Sequence, residues 1–135
     1  MDCSRCGVCC ERTEMMLSRG DVKRLEGMGY ERQKFARQDR QGFIRLRNHW
    51  RFCVFYDVER CRCGIYKHRP LGCRIYPLIC SEQEGIVVDD LCPMKSTVSK
   101  IELKTEGKKL MRLLQRIDAE ATRNRNQTKN LKGVR

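Results

Sequence analysis

The chain opens on Cys3-x2-Cys6-Gly7-x-Cys9-Cys10, four of its ten cysteines within eight residues. This run limits what the chain can fold into more than any other feature. A Cys-x2-Cys turn aims two thiolates at one metal. Three thiolates at two-residue intervals match the way one loop feeds a cubane cluster in bacterial ferredoxins. Gly7 lets the backbone bend closely around an ion or cluster. Neighbouring side chains diverge, so Cys9 and Cys10 are expected to serve different centres, which implies two sites close together.

The rest of the composition shows why such a staple is needed. Leu, Ile, Val and Phe number 30 of 135 residues, while 34% of the chain is charged. That stands just above the level at which highly charged chains stop folding. A large self-sufficient core is excluded, and the cysteines must contribute. Disulfides need an oxidising compartment. The Met1-Asp2-Cys3 start has no apolar signal segment, and no window reaches the apolar length of a membrane span. The expectation is a cytoplasmic protein without a membrane association, and reduced cysteines that ligate metal.

Cys53, Cys61, Cys63, Cys73, Cys80 and Cys92 complete the set. Tetrahedral zinc and cubane clusters both take four protein ligands, so two sites use eight cysteines and leave two over. Spacing alone does not say which two.

Further residues carry a resemblance. The opening run is followed by Cys53-x-Phe55 and then Cys63-x-Ile65-Tyr66-x2-Arg69-Pro70-x2-Cys73-Arg74-x-Tyr76-Pro77. Together these blocks resemble the CxxCxxCC cysteine-cluster family, whose name is attached to zinc or iron chelation. The resemblance spans roughly residues 1 to 94, and the RPxxCRxYP stretch makes it specific. It implies Cys3, Cys6, Cys9, Cys10, Cys53, Cys63, Cys73 and Cys92 as metal ligands. Cys61 and Cys80 are then additions, either spare thiols or alternative ligands. Some larger relatives join such a domain to protein-lysine methylation; this chain is too short for that remainder, so the activity is not carried over.

Zinc modules usually pair two Cys-x2-Cys knuckles per ion. Here one knuckle-rich run is followed by singly scattered cysteines, and Cys92-Pro93 echoes the distal Cys-Pro of ferredoxins. The favoured reading is therefore two [4Fe-4S] clusters, in an electron-transfer or accessory subunit of a larger assembly. The alternative is two Zn2+ ions in a non-redox module that engages an acidic protein or nucleic acid. Four thiolates around a metal carry net negative charge, so Arg69 and Arg74, flanking Cys73, are placed as its outer partners. The competing reading pairs them with Asp89, Asp90 or Glu59 on the surface. Tyr66 and Tyr76 are read as packing residues whose hydroxyls find a partner.

Other chemistry is sparse. There is no G-x-G-x-x-G and no P-loop, and His49 and His68 stand outside any H-E-x-x-H arrangement. Catalysis by the chain itself is not expected. The formal charge of +12 counts thiols as neutral. Two thiolate sites holding 2+ centres lower it to roughly +8. Dedicated nucleic-acid binding is not favoured, because no stacking pattern or recognition helix accompanies the charge.

The expected fold is a small, irregular α+β domain stapled by metal. Ser18-x-x-Asp21 reads as a capping-box variant leading a helix from Asp21 to about Gly27. A second short helix is expected around 31–38, and period-two alternation at Phe43–Arg47 suggests a strand. Residues 50–80 read as metal-organised loops, and Ile86–Val88 as a strand after the Gly85 turn. Leu110, Leu113, Leu114, Ile117 and Ala121 recur at helical spacing, so an amphipathic helix is expected over about 108–123. Three parts follow: a metal domain at 1–94, a helical segment at 95–123 that docks on it or on a protein partner, and a mobile basic tail at 124–135.

Overall fold

The structure is a computed structural model and describes residues 10–133, with side chains as far as residue 128. Among the described residues, twelve short strands and helices precede one long helix. β1 (Met16–Leu17) leads into α1 (Arg19–Gly27), then α2 (Arg32–Phe35), β2 (Ala36–Gln38) and β3 (Ile44–Leu46). Two small hairpins follow, β4 (Asn48–His49) with β5 (Phe52–Cys53) and β6 (Tyr56–Asp57) with β7 (Arg62–Cys63). A 3-10 turn at Tyr66–His68 precedes α3 (Leu71–Ile75), and β8 (Leu78–Ser81) pairs with β9 (Gly85–Val88). A second 3-10 turn at Lys95–Thr97 leads to α4 (Lys100–Gly133). The small α+β class expected from the sequence is what is found.

α1 forms where its cap predicts. The Asp21 N–H donates to Ser18 Oγ at 3.1 Å and the Ser18 N–H to Asp21 Oδ2 at 3.2 Å, so the two residues satisfy each other's orphan groups. Val22 and Leu25 point inward. Gly29, at φ +99°, then takes the left-handed backbone that ends the helix run.

The helix expected over 31–38 is cut short. It holds only from Arg32 to Phe35, because Ala36, Arg37 and Gln38 pair with Leu46, Arg45 and Ile44 as a strand. Buried Phe35 and Ala36 reach the core from either side of that switch. The sheet order is β1-β3-β2, antiparallel throughout.

Two apolar clusters result. The first gathers Leu17, Val22, Leu25, Phe35, Ile44 and Leu46 with Cys53 and Ile65, between α1, α2 and the three-stranded sheet. The second gathers Ile75, Leu78, Leu110, Leu113 and Ile117 where α3 and β8 meet α4.

α4 is longer at both ends than its apolar stripe suggests. Its start is fixed by Ser99: the Glu102 N–H donates to Ser99 Oγ at 3.1 Å and the Ser99 N–H to Glu102 Oε1 at 3.3 Å. This is a second capping box, and it places the helix start eight residues before Lys108. Gly107, a weak helix residue, sits inside the helix because Ile86 packs against it; a Cβ there would lie 3.3 Å from Ile86 Cγ2. At the far end the helix does not stop at Arg123, and residues 124–133 continue it. Asn124 Nδ2 donates to the Gly42 carbonyl at 2.9 Å, and the Arg19 N–H donates to Glu120 Oε2 at 2.9 Å. Gly42, at φ +90°, has its Cα against the Ala121 carbonyl, with no room for a side chain. α4 thus packs on the second cluster and also reaches the β2–β3 turn and the start of α1.

Candidate metal centre

Cys3, Cys6 and Cys9 lie outside the described residues. The other seven cysteines form no disulfide, and they separate by position. Cys53 is buried within the first cluster, with Cys10, Cys63 and Cys73 packed against it. Cys92 is buried too, in the turn between β9 and the second 3-10 turn, where its N–H donates to the Asp89 carbonyl at 3.2 Å. Cys61 and Cys80 are exposed.

Each clustered thiol is delivered by a different local device. The β4–β5 hairpin pairs Asn48 with Cys53 and His49 with Phe52. Alternation across the strands therefore turns Cys53 inward and leaves Phe52 on the outer face. The β6–β7 hairpin pairs Tyr56 with Cys63. Cys61 occupies its turn at φ +53°, and its thiol contacts the Val58 carbonyl at 3.4 Å. Cys73 rides on α3, just after the Arg69-Pro70 entry. Cys80 stands on β8, at the rim of a separate apolar cavity of about 390 Å3 under α4.

Cys10 is held against the first hairpin by a backbone zipper. Glu11 bridges Phe52, and the Arg12 N–H donates to the Arg51 carbonyl at 2.7 Å. Asn48 then grips Thr13 twice, accepting its N–H at 3.0 Å and donating to its carbonyl at 3.0 Å. Nothing in the periodicity of the sequence marks Asn48 for this role.

The electrostatics suit thiolates. The Cys63 thiol is pulled down to about 6, first by its hydrogen bond with Cys10, against the raising effect of burial. The Ile65 N–H and the Arg69 guanidinium assist. Arg69 lies over the Tyr66 ring at 4.0 Å and donates to the Tyr66 carbonyl at 2.9 Å. Its Nη1 also reaches the Cys73 carbonyl at 3.5 Å, a weak contact. It thus sits beside Cys63 and Cys73. Arg74 is held by other carbonyls. Its guanidinium donates to the Arg69 carbonyl at 2.9 Å and turns toward α4.

Neither arginine pairs with Asp89, Asp90 or Glu59. Asp89 accepts the Tyr76 hydroxyl at 2.7 Å, and Asp90 faces Lys95 at 3.5 Å. His49 and His68 are exposed.

A buried network that the sequence did not announce fixes the loop before Cys73. Asp21, with no exposed surface, accepts the Leu71 N–H at 3.2 Å and pairs with Arg24 at 3.2 Å. Arg24 donates in turn to the Arg69 carbonyl at 2.9 Å. Asp21 therefore caps α1 and the start of α3 together. The Ser18-x-x-Asp21 signal revealed the first task and not the second.

Among the described residues, no three His, Cys, Asp or Glu side chains converge tightly enough to hold an ion by themselves. The described donor set is nevertheless the right chemistry for a soft metal: thiols grouped on one core, one of them drawn toward its thiolate, with a cation beside it. These features define a small cysteine-rich protein that chelates metal. Its family is the CxxCxxCC family, described as "Putative zinc- or iron-chelating domain", whose model matches residues 2–93; the chain belongs to it. No curated protein and no solved structure matches the chain. No helix among the described residues is long and apolar enough to cross a membrane.

Proposed function

We propose that this protein is a cytoplasmic iron–sulfur protein, holding two [4Fe-4S] clusters on Cys3, Cys6, Cys9, Cys10, Cys53, Cys63, Cys73 and Cys92. In this reading it serves as an electron-transfer or accessory subunit of a larger assembly and catalyses nothing alone. The observation that carries the proposal is the division of the cysteines. Cys10, Cys53, Cys63 and Cys73 gather on one core, while Cys61 and Cys80 face solvent.

Cubane clusters bound at these residues would supply one-electron storage. The chain's own contribution is to gather the thiols from separate hairpins, to shield them under Ile65 and Phe55, and to set the Arg69 charge beside Cys63 and Cys73. The partner surface in this proposal is the outer, basic side of α4, since its apolar stripe is already used inside the molecule.

The test is anaerobic purification followed by metal and sulfide analysis with a visible spectrum. The expected result is a brown protein with about eight iron and eight sulfide per chain, the content of two cubanes. A colourless protein with two zinc ions and no sulfide would overturn it in favour of a zinc-stabilised interaction module.

A further inference from the structure

Where α3 meets α4, a groove of about 380 Å3 opens beside the second apolar cluster. Arg74 lines it from α3, and Lys109, Arg112 and Arg116 line it from α4. The spacing 109, 112, 116 puts those three cations on one helical face. Leu71, Ile75 and Leu113 supply apolar wall.

The protein sets one carboxylate against the four cations of this groove. Glu106 is its one acidic lining residue, and it is engaged with Lys109 at 2.9 Å. Among the described residues, no carboxylate pairs with Arg74, Arg112 or Arg116. Arg74 is fixed in place by two carbonyls, those of Arg69 at 2.9 Å and Lys67 at 3.4 Å, which orient the guanidinium and leave its charge intact. Arg112 and Arg116 stand four residues apart, a like-charge spacing that costs an isolated helix a few tenths of a kcal/mol. Three arginines that line one groove without a carboxylate partner are placed to meet an anion from outside.

We propose that this groove is a binding site for a small phosphate monoester, with the phosphate held by Arg74, Arg112 and Arg116 and a compact apolar group resting against Leu71, Ile75 and Leu113. Guanidinium forks match phosphate oxygens two at a time. A dianion also answers three fixed cations better than a single carboxylate does. The volume suits a small organic ligand. The site goes beyond the cluster reading and stands whichever metal the cysteines hold.

Phenyl phosphate is the probe, titrated calorimetrically into the full-length, metal-loaded protein at constant ionic strength. One saturable site is expected, with inorganic phosphate and benzoate both binding more weakly. Arg112→Gln/Arg116→Gln should weaken binding by about ten- to a hundredfold, the range for lost hydrogen bonds to charged groups. Arg32→Gln/Arg40→Gln, equal in charge change and outside the lining of the groove, should stay within about twofold, with far-UV circular dichroism confirming that both variants fold. Equal weakening in the two variants would overturn the proposal, because it reports net charge alone. Benzoate binding as tightly as phenyl phosphate would overturn the phosphate assignment. Phenyl phosphate failing to saturate while a thymidine oligonucleotide binds through Arg112 and Arg116 would overturn it in favour of a nucleic-acid surface.

Discussion

Cys61 and Cys73 show how differently two thiols of one short chain can be used. Cys61 holds a turn at φ +53°, a backbone region where glycine is at ease and other residues are strained. Cys73 packs against the first cluster within reach of Arg69. In the proposed ligand set, Cys73→Ser should lose one of the two clusters, seen as about half the iron and half the visible absorbance. Cys61→Gly should keep the full metal content and hold or raise the unfolding temperature, and equal metal loss in both variants would refute the assignment. Asp39 carries a prediction of another kind. Burial tends to raise its pKa, but the Arg45 side chain at 2.9 Å and the N–H groups of Phe43 and Gln41 outweigh this and lower it. The charged form therefore stabilises the β2–β3 turn at pH above the ordinary carboxylate value of 3.8, and that stability is lost as pH falls through the lower folded value. Asp39→Asn should cost about 1 kcal/mol at neutral pH. It should also flatten the acid limb of the stability profile, measured by denaturant titration across pH.

Between neighbouring elements, the decisive device is the zipper that lays residues 11–13 along the β4–β5 hairpin. Asn48 makes two of its hydrogen bonds, both to Thr13, and stands in register with Cys53. Asn48→Ala should destabilise the fold by about 1–3 kcal/mol, since it leaves the Thr13 backbone groups unsatisfied in a part-buried place. Because Cys10 and Cys53 are brought together through this zipper, metal affinity should fall about 10- to 100-fold, as measured by competition with a chelator. Unchanged affinity would mean that the hairpin holds its thiol without the zipper. The same scale explains why some elements were legible and others were not. Ser18-x-x-Asp21 announced α1 because a cap is a local signal. Ser99-x-x-Glu102 is an equally local signal for the start of α4, and it stands ahead of the apolar stripe that begins at Leu110. The switch from helix to strand at Ala36 has no local mark, because it depends on pairing with β3.

Taken whole, the molecule has one cluster flanked by thiols and another whose buried residues are all aliphatic. Leu110, Leu113 and Ile117 pack on Ile75 and Leu78 without any cysteine among those buried residues. The first cluster includes Cys53 and is flanked by Cys10, Cys63 and Cys73. Metal binding and folding are coupled where ligands come from separate segments. Removal of the metal under anaerobic conditions should therefore expose the amides of β4 to β7 to hydrogen exchange first, while α4 and the β8–β9 hairpin keep their protection. Uniform loss across both clusters would show that α4 binds them into one cooperative unit, a role its contacts with Gly42 and Arg19 make possible.

The sequence by itself determined the family, the reliance on cysteine, the α1 cap and the apolar face of α4. Each of these is carried by residue type at a fixed spacing, which needs no knowledge of what lies across the fold. Only the tertiary structure decided that Arg69 stays by the cysteines while Arg74 turns to the α4 groove, because the two differ in which backbone carbonyls lie within reach. It likewise decided that Asp21 joins α1 to α3 and that α4 runs past Arg123. Those outcomes rest on hydrogen bonds between residues 50 to more than 80 positions apart, from Asp21 to Leu71 and from Asn124 to Gly42, and no local pattern encodes such a meeting.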